Sequence, residues 1–413
     1  MRTASILDRL ADLGPDKWAV HFRARELMRQ GVPVIELTIG EPDVPPPPEL
    51  IDVAVASMRA GRTHYSNGRG EANVLAAIAR KYSERTGRVI GADQALYFPG
   101  TQSALIAVML GLAEGGEEVL VGDPLYASYA PVVASCGATL VHVPLSPERG
   151  FHMSAEDLER RVTPRSRVVL LNSPHNPTGA VLTAPEIAAI GEVCKRHDLW
   201  IVSDEVYEAH VFSGGFASPF DNAALADRTV VVSSLSKSHA FHGFRAGWCV
   251  GPAAFTRRLL PLSEAMLFGG QQFIADAAAE ALSHDFDTTR MMRESYLRRA
   301  TLVSDALARV PGLACPMPEG GMFVMLNLRA LGMSGEDFAE RLLDEERVAA
   351  LPGEAFGPEG AGLLRISLTS PDENLAEGCV RIAKLAGRIV GERTRKDEAV
   401  TIAAARDAQL HGP

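Results

Sequence analysis

"RVVLLNSPHNPTGAVLTAPEIAAIGEVCKRHDLWIVSDEVY", residues 167–207, holds two short runs of branched apolar residues with one helical pattern between them. "RVVLLN" (167–172) and "LWIVSDE" (199–205) read as buried strands, and "APEIAAIGEVCKRH" (184–197) reads as a helix. Two strands joined through a crossover helix pair in parallel, because a tight hairpin cannot return the chain in the same direction. The alternation continues outward on both sides. "QALYF" (94–98) precedes the apolar helix "SALIAVMLGLA" (103–113), and "EVLVG" (118–122), "ATLVHVPL" (138–145) and "TVVVSS" (229–234) supply further strands. The pattern predicts an α/β fold, a mostly parallel central sheet with helices on both faces. In such sheets ligands sit at the carboxyl ends of the strands.

The flanks differ from this core. "GEPDVPPPPEL" (40–50) reads as a proline-stiffened extended arm. From about residue 286 a long charged helix leads to "GGMFVMLNL" (320–328) and a helix–strand–helix pattern, which predicts a smaller α+β domain. The expected division is an N-terminal arm over 1–45 that packs with the small domain, a large domain over 46–290, the small domain over 291–392 and a peripheral tail over 393–413.

With 413 residues and a net charge of −10, the chain lacks the basic surface that nucleic-acid binding needs. An anionic ligand must therefore be held by local cations. Five scattered cysteines without a C-x-x-C pair argue against a disulfide framework or zinc ribbon and suit a reducing cytoplasm. No run of eighteen apolar residues is present, and the first twenty residues lack a signal peptide's apolar segment, so no membrane partner is expected.

"SSLSKSHAFHGFRAGW" (233–248) sets Lys237 just past a core strand, with Arg245 eight residues on. Asn176 lies in "NSPHNPTGA" (172–180), and Asp204 and Tyr207 in "SDEVYEAHVF" (203–212), each at or beyond a strand end. A buried lysine with a lowered pKa is a nucleophilic amine able to form a Schiff base. An arginine with serine hydroxyls suits a phosphate dianion. An aspartate without a metal cluster suits a protonated ring nitrogen. Together these are the groups that pyridoxal phosphate requires. Taken singly, Lys237 could snorkel to solvent, Asp204 could cap a helix and Arg365 could be a surface ion-pair partner. Only their ordered combination points to a site. His239 and His242 have no third ligand in view, so metal is not expected.

The sequence resembles the fold-type I pyridoxal-phosphate aminotransferases, in the branch of the aspartate and aromatic enzymes. "IGEPD", "HYSNGRGEANVLAAIA", "PGTQSAL", "DPLYASY", "NSPHNPTG", "SDEVY", "SLSKSHAFHGFRAGW", "GGMFV" and "LRISL" occur in that order from residue 39 to about 390. The resemblance implies that Lys237 carries the cofactor and then acts as general base, and that Asp204 pairs with the pyridinium N–H. Asn176 and Tyr207 would bond the phenolic oxygen. Ser234, Ser236, Arg245 and the backbone of Gly100, Thr101 and Gln102 would hold the phosphate. Tyr126 would stack on the ring, and Arg365, with the Gly40 backbone nearby, would grip the substrate α-carboxylate. Tyr65 matches a tyrosine that reaches the neighbouring subunit's phosphate, which implies a homodimer with shared sites. Two departures stand out: His242 and Phe244 occupy positions where the family often has threonine and tryptophan.

What the resemblance implies is amino-group transfer between an amino acid and a 2-oxo acid. A β-lyase on the same fold is the alternative enzyme reading. A transcription regulator with such a domain would need an appended DNA-binding module, for which the residues before "IGEPD" are too few. "NSPHNPTGA", "HDLWIVSDEVY", "SLSKSHA" and "GGMFVM" are worded more like transaminases using arginine and pyruvate than like the aspartate enzymes. Segment 264–278, where some dicarboxylate-specific relatives carry a side-chain-reading arginine, has none. "GEPD" places Glu41 and Asp43 by the pocket, but the family has it whatever the substrate, so it does not identify a cationic one.

Overall fold

The computed structural model describes residues 2–11, 13 and 18–410, with side chains described as far as 395. Its main sheet has seven strands, in the order Ala95–Phe98, Gly247–Val250, Thr229–Ser234, Trp200–Asp204, Ser166–Asn172, Glu118–Asp123 and Thr139–Pro144. All neighbours pair in parallel except Gly247–Val250, which runs antiparallel to both of its partners.

The buried strands alternate between two apolar layers, as the pleat requires. Val230 and Val232 join Val202 and Leu170 on one face, while Val169 and Ile201 turn to the other. The crossover helix Ala184–Arg196 starts on a reciprocal cap, in which Glu186 accepts from the Thr183 N–H and Thr183 from the Glu186 N–H. Pro185 fits its first turn because the missing donor is unpaired there anyway. Lys195 and Arg196 offset the negative end of the helix dipole. The fold class expected from the sequence is the one observed.

A second, antiparallel sheet of Leu351–Pro352, Leu363–Ser367 and Phe323–Asn327 packs with the helices Asp287–Leu307, Gly335–Glu346 and Asp372–Leu410. The last helix runs unbroken to Leu410 through the stretch expected to be a peripheral helix or a frayed tail; 411–413, like residues 1, 12 and 14–17 of the arm, lie outside the described ones. The arm is less detached than its prolines imply. Ile35 and Glu36 pair with Val348 and Ala349, Leu37 is buried in the same core, and Pro48 already opens a helix. A proline at the first helical position explains why "PPPPEL" switches from extended chain to helix there.

Consecutive crossovers go in opposite directions from Glu118–Asp123: Thr139–Pro144 lies on one side and Ser166–Asn172 on the other. Such a reversal opens a crevice at the strands' carboxyl ends. The residues that follow Asp123, Asn172, Asp204 and Ser234 meet there.

Candidate active site

Asp204 ends its strand fully buried. The Tyr129 hydroxyl donates to its Oδ2 at 2.9 Å and the Val206 N–H to Oδ1 at 3.2 Å. Burial still dominates and pushes the carboxyl up to about 6. On the neighbouring strand end Asn172 donates to the Asp204 carbonyl at 3.0 Å and accepts the Asn176 N–H at 2.8 Å. One amide thus ties two predicted residues to each other.

Lys237 sits in the single turn Leu235–Ser238, started by Ser234, whose Oγ accepts the Ser236 N–H at 3.3 Å. Its amine is sequestered and donates to the Gly40 carbonyl. Burial lowers its pKa to about 8; the Glu41 carboxylate opposes this, and the Arg365 and Arg245 cations reinforce it. About a tenth of such an amine is unprotonated, and therefore nucleophilic, at pH 7, far more than of an ordinary lysine.

Opposite lies a cradle for an anion. Gly100, at φ 87°, precedes the helix Thr101–Leu112, whose first N–H groups have no partner within the helix. A Cβ on Gly100 would overlap the Arg245 guanidinium, and one on Gly247 would come within 2.6 Å of the Gly100 backbone. Arg245, itself in the left-handed region at φ 59°, donates to the His242 carbonyl at 2.9 Å. The Thr101 hydroxyl is buried without a partner.

Arg365 is 2% exposed, with its guanidinium 4.1 Å from the Phe323 ring centre and 4.7 Å from that of Phe356. It donates to Asn176 Oδ1 at 3.0 Å and to the Thr38 carbonyl at 2.6 Å, while its Nε has no partner. Burial pulls its pKa down to about 10. A buried cation with only neutral acceptors is poised for a carboxylate. Asn176 reaches Tyr207 as well, at 3.5 Å, so one amide spans the arginine and the phenol.

Of the predicted residues, Thr101, Gln102, Tyr126, Asn176, Asp204, Tyr207, Ser234, Ser236, Lys237 and Arg245 line one cavity of about 160 Å³. Gly40, Gly100 and Arg365 adjoin it through the contacts above. Tyr65 does not line it: its ring is 85% exposed and meets Phe268 edge-on at 5.0 Å. Sequence reasoning missed Tyr129, Asn172 and Thr38. Tyr129 follows Tyr126 by three residues in "DPLYASY", a spacing that puts both on one side of a helical turn; Thr38 acts through its backbone and leaves no side-chain signal.

These groups fit pyridoxal phosphate. A buried acid suits a protonated ring nitrogen, an amine suits the aldehyde, and Thr101 offers an unpartnered hydroxyl in the anion cradle, all on one cavity. Residues 32–382 match the family model of aminotransferase class I and II. The chain belongs to that family: it is a pyridoxal-phosphate-dependent aminotransferase. It is 43% identical to the arginine–pyruvate transaminase of Pseudomonas aeruginosa over 95% of this chain and all of that one. It is 33% identical to an aromatic-amino-acid aminotransferase of Thermococcus litoralis, over 92% of this chain and 98% of the other. The aspartate aminotransferase of Thermus thermophilus with maleate superposes with a TM-score of 0.88 at 31% identity, covering 93% of this chain and 100% of that one.

Proposed function

We propose that this aminotransferase takes arginine, or another amino acid without a second carboxylate, as donor and pyruvate as acceptor. The observation that carries the reading is its identity to the arginine–pyruvate enzyme, well above that to the aromatic one. The charge of the cavity supports it. Among the described lining residues the only basic side chains are Lys237, Arg245 and His242, and Arg365 lies alongside. No further cation is left in this chain's lining for a side-chain carboxylate.

Pyridoxal phosphate, when bound, supplies a ring that accepts electron density from the substrate Cα. Lys237 would hold it through Nζ and, once freed by the donor's amine, take the Cα proton. Asp204 would keep the ring nitrogen protonated, with Tyr129 fixing its carboxylate. Tyr207 and Asn176 would bond the phenolic oxygen while Tyr126 covers the ring. Ser234, Ser236, Arg245 and the N–H groups of Gly100, Thr101 and Gln102 would hold the phosphate. Arg365 would bind the α-carboxylate, with the Gly40 carbonyl close to the reacting nitrogen.

We read 46–290 and 291–392 as the two domains, since most of the small sheet shares one apolar core with its own helices, while Met325 and Leu363 on its other face meet a core of the large sheet. A cytoplasmic homodimer completes the reading, supported by five free cysteines and by the exposed Tyr65 and Phe268. The test is a comparison of specificity constants for arginine with pyruvate and aspartate with 2-oxoglutarate. Arginine should be preferred. A preference for aspartate of about ten-fold, roughly 1.4 kcal/mol in transition-state binding, would refute the assignment.

A further inference from the structure

The segment 35–43 is bound tightly to the three-stranded sheet and its helices. Leu37 accepts the Ser367 N–H at 3.0 Å, Thr38 accepts from Arg365, and Ile39 accepts from Thr369 Oγ1 at 2.9 Å. Asp43 accepts from Arg299 at 2.8 Å, and the same guanidinium binds Asp372 and the Leu368 carbonyl. This segment therefore moves with that unit.

Two contacts carry it across to the cofactor loop. One is the Lys237 amine on the Gly40 carbonyl. The other joins His242 Nε2 to Glu41 Oε1 at 2.6 Å. The first cannot be permanent, because that amine is the reacting group. The second involves neither reacting atom. The His242 Nδ1 is buried without a partner, so Nε2 is the edge by which the ring meets the arm. His242 is also tied by its carbonyl to Arg245. The threonine common at this position in the family is too short to reach as far as an imidazole Nε2.

We propose that Glu41 and His242 form a latch that holds the arm across the site and so positions the Gly40 carbonyl at Lys237 and the Thr38 carbonyl at Arg365. Both are positioning residues, and the proposal rests on the roles given above to Lys237 and Arg365. Because the latch belongs to the arm and not to the substrate's side chain, it acts on every donor alike.

The test uses the cofactor-loaded protein and Glu41→Gln, His242→Thr and the double variant. Hydrogen exchange in peptides spanning residues 36–45 should quicken in all three to the same extent, with exchange elsewhere unchanged. In single-turnover reactions with arginine and with alanine, each single variant should raise the donor's apparent dissociation constant about three- to fivefold, the scale of a partly exposed ion pair. The limiting rate should move much less, and the double variant should be no worse than the poorer single one. Unchanged exchange, multiplicative losses in the double variant, or a fall in limiting rate at constant affinity would overturn the latch. If the unaltered protein rejects arginine but alanine responds as stated, the substrate reading fails and the latch stands. If arginine is used and the variants are silent, the latch alone fails.

Discussion

Asp204 illustrates how one residue couples folding to chemistry. Water is excluded from its carboxylate, and two hydrogen bonds do not replace the lost hydration, so its pKa stands at about 6 against an ordinary 3.8. The folded chain therefore binds this proton more tightly than the unfolded one. Its contribution to stability is full below pH 4 and is lost as the pH rises through 6, a change on the order of 2–3 kcal/mol. Cofactor-free Asp204→Asn should accordingly be more stable than the unaltered protein above pH 6 and indistinguishable from it below pH 4. Urea unfolding across pH 4–8 measures this, and parallel curves for the two proteins would exclude the linkage. With cofactor bound, the ring N–H gives the carboxylate a cationic partner and the difference should shrink. Lys237 has the opposite shift from the same cause: burial disfavours its charged form, so the acid and the amine are both drawn from their ordinary ranges towards neutrality.

At the scale of elements, the cradle depends on how closely a strand can approach a helix start. Gly247 opens its strand against the backbone of Gly100 and Thr101, where an added Cβ would meet three backbone atoms at 2.6–2.8 Å. Backbone cannot swing aside as a side-chain tip can, so Gly247→Ala should push the helix Thr101–Leu112 away from Arg245. Cofactor affinity, followed by absorbance titration of the cofactor-free protein, should fall by about ten-fold or more, since a displaced phosphate loses charge-assisted bonds. Unaltered affinity would mean that the cradle tolerates the shift. The strands and crossover helices were legible because apolar periodicity and caps are local signals. So was Lys237, standing among serines where a core strand ends. Asn172 and Thr38 were not, since a strand-terminal amide and a backbone carbonyl become part of a site only when distant segments meet. A peripheral helix was one of two readings the tail's composition allowed, and nothing in that charged, alanine-rich stretch breaks the helix that begins at Asp372.

The whole molecule raises the question of what covers Tyr65. A tyrosine with 85% of its surface exposed, beside a phenylalanine with 65%, is an uncommon use of two aromatic rings on a monomer. Pro99, one residue from the cradle's Gly100, lines the same surface hollow. A second copy docked there could present its own Tyr65 to this chain's phosphate site, and symmetry would make the exchange reciprocal. Subunit mixing separates that arrangement from a Tyr65 acting within its own chain. Lys237→Ala lacks the amine, and Tyr65→Ala should bind cofactor poorly while sedimenting as a dimer. In a hybrid of the two, one site combines both defects and the other combines an intact Lys237 with the partner's intact tyrosine. Random reassociation of equal amounts makes half the dimers hybrid, so activity at limiting cofactor should recover to about a quarter of that of the unaltered protein. If Tyr65 served only its own chain, the site with an intact Lys237 would still lack its tyrosine, and mixing would restore nothing.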